Sequence, residues 1–152
     1  MMNGTVESVH IASAAKAPMR AVDQVKAIPG AGLEGDRYAL GQGTFFKPQP
    51  DVELTLIEVE AIEALQRDYQ VELAPGEARR NVVTRGAALN HLVGREFLIG
   101  EVKIRGIRLC EPCNHLQALT GRPIIKGLIH RGGLRAQILS EGTIHVGDAV
   151  SE

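Results

Sequence analysis

The chain has 152 residues, 44% of them hydrophobic, which fits one domain over residues 1–152 that can bury a core without disulfides or metals. Its formal net charge is −1 at pH 7 and charges of both signs are mixed along the chain, so composition indicates neither a nucleic-acid partner nor a membrane-surface partner. No apolar run approaches the ~20 residues of a membrane helix, and the first residues lack a secretory signal, so we expect a cytoplasmic protein.

Short apolar runs separated by glycine-rich turns predict a mainly β fold. The predicted strands are residues 6–12, 21–28, 52–56, 81–84, 97–99, 102–109, 135–139 and 143–146. A glycine-rich stretch, 30–43, precedes the third strand, and Pro48 and Pro50 bracket the start of that strand. Short strands at such frequent intervals favour a closed or nearly closed β-barrel.

Apolar residues at helical spacing predict one clear helix, over residues 58–70. The residues on its apolar face are Val59, Ile62, Leu65 and Tyr69. Thr55 and Glu58 have the Thr-x-x-Glu spacing of a capping box, which would begin the helix at Thr55. A shorter helix is predicted over residues 114–120.

A hairpin around Gly100 is predicted from residues 97–99 and 102–109. Along its second arm apolar and charged residues alternate, and past Gly106 the alternation shifts by one residue. A glycine at the point of the shift predicts a β-bulge.

Residues 30–35, Gly-Ala-Gly-Leu-Glu-Gly, have the spacing of the dinucleotide-binding glycine fingerprint. That fingerprint requires a helix directly after the glycines, and Gly41 and Gly43 interrupt any such helix. We therefore interpret the segment either as a turn-rich loop or as a loop whose backbone approaches an anion closely. In the second case Asp36 and Arg37 would supply the polar contacts.

Arg79, Arg80 and Asn81 lead directly into a predicted strand. Guanidinium groups bind phosphate through paired hydrogen bonds, so this segment suits a phosphate or a polar heterocycle. Neighbours on a strand point to opposite faces, so at most one of the two arginines would serve a given site. A solvated start of the strand is the other interpretation.

The two cysteines, Cys110 and Cys113, lie between a predicted strand and a predicted helix. In the cytoplasm such a pair is more often catalytic, redox-active or metal-binding than a structural disulfide. The pair is compatible with a thiol–disulfide couple, a persulfide sulfur carrier, a thiolate ligand to a metal, or two buried small apolar residues. With His115 the pair could begin a zinc site, but the sequence has no second ligand pair of the usual spacing.

The order of these motifs along the chain is more specific than any motif alone. The motifs are residues 32–37 (Gly-Leu-Glu-Gly-Asp-Arg), the helix at 58–70, residues 79–84 (Arg-Arg-Asn-Val-Val-Thr), residues 89–95, residues 109–113 (Leu-Cys-Glu-Pro-Cys) and residues 142–148 (Gly-Thr-Ile-His-Val-Gly-Asp). The series resembles the MOSC domain family, named for the C-terminal domain of molybdenum-cofactor sulfurases. The chain looks like a small stand-alone bacterial member.

The resemblance implies a closed β-barrel of mixed topology with a few short helices, and a role in molybdenum-cofactor (molybdopterin) chemistry. Some family members bind the cofactor and reduce N-hydroxylated small molecules. Others carry sulfur as a persulfide from a cysteine desulfurase toward the cofactor of a molybdoenzyme, with pyridoxal phosphate contacted only through the partner desulfurase. The other functions left open are a thiol–disulfide or zinc-binding protein and a non-enzymatic module that binds an anionic ligand.

The resemblance also assigns the two cysteines. The family cysteine corresponds to Cys113, which implies that Cys113 is the catalytic thiolate and the molybdenum ligand if the cofactor is bound. Cys110 lies outside the family pattern and is expected to be a resolving or supporting thiol near the cofactor.

Further cofactor contacts are implied at two other motifs. Arg80 and Asn81 correspond to the arginine–asparagine element, expected to contact the pterin and phosphate of the cofactor. Asp36 and Arg37 correspond to the Gly-Asp-Arg loop. Many relatives carry a histidine after that arginine, and this chain has Tyr38 instead.

Overall fold

The computed structural model describes residues 3–41 and 50–152. Its strands are β1 (Asn3–Ile11), β2 (Arg20–Val22), β3 (Gln24–Ile28), β4 (Gly32–Leu33), β5 (Leu54–Glu58), β6 (Val82–Arg85), β7 (Glu96–Ile99), β8 (Val102–Leu109), β9 (Leu134–Ile138), β10 (Gly142–His145) and β11 (Ala149–Ser151). Its helices are α1 (Val59–Tyr69), α2 (Asn114–Thr120) and α3 (Ile125–Leu128). None of these helices is long and apolar enough to cross a membrane. Gly43 and Pro48, singled out in the sequence, lie outside the described residues.

Seven strands form a closed barrel of mixed topology, as predicted. Their order is β11-β7-β8-β9-β5-β6-β1, and pairing of β1 with β11 closes the ring. The β5–β6 pair is parallel and the other pairs in the ring are antiparallel. A parallel pair needs a long crossover connection, and α1 supplies it between β5 and β6. β10, β3 and β4 form a second, smaller sheet.

Two apolar clusters lie on opposite faces of the barrel wall. Leu54 and Leu56 of β5 point into the barrel and pack in its interior, whereas Ile57 points outward and packs with Ile62 and Leu65 of α1. Alternate residues of a strand face opposite sides, so β5 and β6 contribute to both clusters. The functional residues described below lie on the outer face, beside the second cluster.

Helix α1 confirms the predicted helical period but begins later than the capping box indicated. Its N-cap is Glu58, and Thr55 lies inside β5. The Thr55 hydroxyl is 3.1 Å from the Asn81 side-chain oxygen, to which it donates, so no helix N-terminus uses it. The helix ends at Gln70 in the left-handed conformation, and Tyr69 is 44% exposed rather than on the buried face.

The predicted hairpin and its bulge are both present. β7 and β8 pair with Phe97 opposite Ile104, and the register of β8 against β9 shifts between Gly106 and Arg108. At Gly106 an added Cβ would collide with the backbone carbonyl of Leu92, so this position has no room for a side chain. The other predicted strands are present within one or two residues, except that β1 begins three residues earlier than predicted and the run 21–28 divides into β2 and β3.

We expect Gly106→Ala to lower the free energy of unfolding by about 2 kcal/mol or more, because the added methyl meets a fixed carbonyl rather than a movable side chain. Urea denaturation checks this value. Lys103→Ala, at an exposed position of the same strand, is the control and should change stability by less than about 0.5 kcal/mol. Equal stability of the two variants would show that the bulge can move away from Leu92.

Candidate functional site

One pocket on the outer face of the barrel gathers most of the residues that the sequence singled out. Arg37, Arg80, Cys110 and Cys113, which lie up to 76 positions apart in the chain, all line it. Its enclosed part has a volume of about 50 Å³, enough for a few water-sized groups. The dinucleotide-like glycine motif instead forms turns around the two-residue strand β4, and residues 34–41 after it contain no helix.

The two cysteines occupy different environments. Cys110 follows β8, its backbone N–H donates to the Gly133 carbonyl at 2.7 Å, and its side chain is 3% exposed. Cys113 is the N-cap residue of α2 and is exposed. The accessible thiol of the pair is therefore Cys113, and Cys110 belongs to the wall of the pocket.

Arg80 uses all three guanidinium nitrogens on backbone carbonyls. Nε donates to Gly132 at 2.8 Å, Nη2 to Cys110 at 3.2 Å and Nη1 to Ala78 at 3.4 Å. The side chain is buried, so these bonds satisfy a charged group that water cannot reach. Arg80 therefore joins the start of β6 to the loop of residues 110–113, called here the cysteine loop, and to the turn of residues 130–133 before β9.

The turn before β9 packs closely on the cysteine loop. An added Cβ at Gly132 would meet the Cys110 carbonyl and would lie 2.9 Å from Pro112 Cδ. Glu111 accepts from the His130 backbone N–H at 2.7 Å, and its other oxygen is 2.8 Å from His130 Nδ1. The cysteine loop is thus held by Arg80 and by the 130–133 turn.

Asn81 lies beneath the pocket rather than on its surface. The side chain is fully buried: its Nδ2 donates to the His10 carbonyl at 3.1 Å, and its Oδ1 accepts from the backbone N–H and hydroxyl of Thr55. Thr55 itself lines the pocket. Asn81 therefore fixes part of the wall and makes no contact with the interior of the pocket.

Asp36 likewise supports the pocket indirectly, through the neighbouring Arg37. It is fully buried, accepts from the Ala12 backbone N–H at 3.0 Å and pairs with Arg37 Nη1 at 3.1 Å. The Arg37 guanidinium lies over the Tyr38 ring, 4.7 Å from its centre. Asp36 and Tyr38 together aim Arg37 at the pocket, with Tyr38 packing where many relatives have a histidine.

Positive charge exceeds negative charge around the pocket. Its charged lining consists of Arg37, Arg79, Arg80, Arg135 and Glu111. Burial lowers the pKa of the Arg79 guanidinium, and the nearby positive charge of Arg37 lowers it further. In a chain with a net charge of only −1, this local surplus favours an anionic ligand.

Arg135 is the functional candidate that sequence reasoning missed. It lies on β9 opposite Thr55 of β5, on the outward face of the barrel. Its Nε is buried and has no hydrogen-bond partner within 3–41 and 50–152. The alternation of β9 places Arg135 on the face opposite Leu134 and Ala136, but the pairing with β5 decides that this face lines the pocket.

No three side chains of histidine, cysteine, aspartate or glutamate converge as a metal site in the described part of the chain.

We expect Arg80→Lys to loosen the cysteine loop, because lysine keeps the charge but cannot reach three carbonyls with a planar fork. The free energy of unfolding should fall by about 2 kcal/mol, and alkylation of the buried Cys110 thiol, mapped by mass spectrometry, should accelerate.

Arg122→Lys is the matched control, since that exposed arginine pairs with Glu77 at 2.6 Å and lies outside the pocket. Arg122→Lys should change neither the free energy of unfolding nor the rate of Cys110 alkylation. Unchanged Cys110 reactivity in Arg80→Lys would mean that the loop is held by the 130–133 turn alone.

Comparison with known proteins bears on the fold and the family. The family model of the MOSC domain matches residues 35–151. No protein with a curated description matches the chain.

Three similar crystal structures share this fold. YuaD from Bacillus subtilis has a TM-score of 0.80 at 16% identity, with 98% of this chain and 94% of that chain covered. YiiM from Geobacillus stearothermophilus has a TM-score of 0.74 at 14% identity, with coverage of 97% and 74%. YiiM from Escherichia coli has a TM-score of 0.68 at 18% identity, with coverage of 97% and 68%.

Proposed function

Because this chain belongs to the MOSC domain family, which is associated with the molybdenum cofactor, we propose that it binds that cofactor with Cys113 as its reactive thiolate. The observation that carries this proposal is a single exposed thiol in a pocket whose lining includes four arginines. A soft thiolate and a cluster of guanidinium groups match the two ends of a molybdenum–pterin phosphate.

The chemical types of the side chains in the pocket match the groups of the cofactor. Cys113 would hold the metal, and the guanidinium groups of Arg37 and Arg79 would neutralise the phosphate. A buried guanidinium nitrogen without an acceptor also indicates a site built for an anion. When bound, the cofactor supplies a metal centre that changes oxidation state.

The chain's own contribution is to position the groups around that centre. We assign Arg80 and Asn81 to the support of the pocket wall and the cysteine loop, because their polar atoms are engaged by the protein itself. Asp36 supports Arg37 in the same way. Cys110, buried next to the loop, packs behind Cys113 as a supporting thiol.

The reaction that we propose for the loaded protein is reduction of N-hydroxylated small molecules. Cys113 is exposed, so a small substrate can reach the centre that it would hold. The expectation that this chain is an enzyme rests on this reaction.

A sulfur carrier is the second candidate, favoured by the same exposure of Cys113. A carrier thiol has to meet a partner's active site, and a buried thiol such as Cys110 cannot do so. The partners would be a cysteine desulfurase, which keeps its own pyridoxal phosphate, and a molybdoenzyme that receives the sulfur.

Protein made in a host that synthesises the cofactor should carry molybdenum, and its release should yield the fluorescence of oxidised pterin. Cys113→Ser should lose most of the molybdenum, because a hydroxyl is a harder and weaker ligand than a thiolate. Cys110→Ala keeps Cys113 and should retain the metal. Parent protein with neither molybdenum nor pterin would overturn the cofactor proposal.

The carrier candidate predicts a one-sulfur mass increase on Cys113 after incubation with a cysteine desulfurase and cysteine. Peptide mapping by mass spectrometry locates the added sulfur. Cys113→Ser should accept none and Cys110→Ser should accept as much as the parent. Labelling that survives in Cys113→Ser would remove Cys113 from this role, and intact anion binding without either activity would favour a non-enzymatic binding module.

A further inference from the structure

We propose that Arg135 is the residue that binds an oxyanion inside this pocket, beside Cys113. The inference names the chemical group that the pocket recognises, and it rests on the proposed function only for the identity of the molecule that carries that group. Arg80, the arginine within the family motif, then serves to hold the cysteine loop.

The hydrogen bonds of the two arginines differ in kind. Every nitrogen of Arg80 donates to a backbone carbonyl, so that side chain is held by the protein itself and only two of its five N–H groups remain. Arg135 Nε is buried and has no acceptor among residues 3–41 and 50–152. A charged donor that has lost its water without gaining an acceptor is unfavourable, and a bound anion would relieve that cost.

Strand pairing fixes the position of Arg135 on the outer face of the barrel. β9 pairs with β8 on one side and β5 on the other, with Arg135 opposite Arg108 and Thr55. Arg108 turns to Asp51, its Nε lying 2.8 Å from a carboxylate oxygen. Arg135 faces the pocket next to Thr55, whose hydroxyl already bonds Asn81.

The carboxylates near the pocket are already engaged. Glu111 places one oxygen on the His130 backbone N–H and the other on His130 Nδ1. Asp36 is paired with Arg37 and does not line the pocket. The acceptor that Arg135 lacks would therefore come from a ligand.

Size and charge define the class of ligand. The enclosed volume of about 50 Å³ suits one phosphate-sized group. Arg37 and Arg79 line the same pocket and add positive charge, so several acceptor oxygens on one centre match the available donors better than a single carboxylate does. The shared chemistry is a tetrahedral oxyanion, either the phosphate of the cofactor or a free inorganic anion.

The test uses cofactor-free full-length protein and inorganic phosphate, with titration calorimetry at constant ionic strength. The parent should bind phosphate, and Arg135→Gln should bind it about tenfold more weakly or worse. Arg105→Gln removes an exposed arginine of β8 that pairs with Glu96, and it should bind like the parent. Equal affinity of Arg135→Gln and the parent, or no binding by the parent, would overturn the inference.

Thermal unfolding of the ligand-free variants separates binding from structural support. Arg135→Gln should unfold at a temperature equal to or above that of the parent, because it removes a buried N–H donor, Nε, that has no acceptor. A structural arginine would give the opposite shift. A clear loss of stability in Arg135→Gln without phosphate would therefore contradict the role in binding.

A second arm identifies the source of the oxyanion. Protein loaded with the cofactor should not bind inorganic phosphate if the cofactor's own phosphate occupies Arg135, and it should bind with the parent's affinity if the anion is a separate ligand. Phosphate binding that depends on Arg135 in a protein that never acquires molybdenum would uphold this inference and reject the proposed cofactor.

Discussion

The three bonds of the Arg80 guanidinium are the interaction on which the site depends. They join backbone carbonyls of residues 78, 110 and 132, of which the first belongs to the connection between β5 and β6 and the other two to the connection between β8 and β9. A buried guanidinium needs acceptors, and these carbonyls supply one to each of its nitrogens. The position of the cysteine loop is therefore coupled to the start of β6. The next residue, Asn81, performs a similar task on the other side of the wall by joining β1 to β5.

The charge balance of the pocket depends on which carboxylates are already paired elsewhere in this framework. Asp36 offsets the charge of Arg37 and Glu111 is committed to His130, so Arg79, Arg80 and Arg135 form no ion pair with a carboxylate of residues 3–41 and 50–152. The result is a surplus of positive charge around one accessible thiol, Cys113. Because like charges in a half-buried pocket repel one another, we expect a bound anion to stabilise the site. The anion affinity and the Cys113 chemistry that we propose would therefore be properties of one cluster.

Local sequence patterns predicted correctly those structural elements that depend on a few neighbouring residues. The apolar period of α1 and the phase shift at Gly106 were confirmed because each depends on a few consecutive residues. The capping box at Thr55 was wrong, because the Thr55 hydroxyl bonds Asn81, 26 positions away, rather than a helix N-terminus. Likewise, the run 21–28 looked like one strand, but its two halves pair with different sheets.

For this protein the sequence by itself determined the mainly β class, the order of motifs that identifies the MOSC domain, and the cysteine pair between β8 and α2. It did not distinguish the arginines, because every guanidinium is identical until the fold supplies acceptors. Only the tertiary structure decided that Cys113 is exposed and Cys110 buried, that Arg80 is engaged by the backbone, and that Arg135 is left with a buried donor. The physical reason is that a hydrogen bond forms within about 3 Å, and the carbonyls of residues 110 and 132 lie that close to Arg80 only when β8, β9, β5 and β6 are side by side in the sheet.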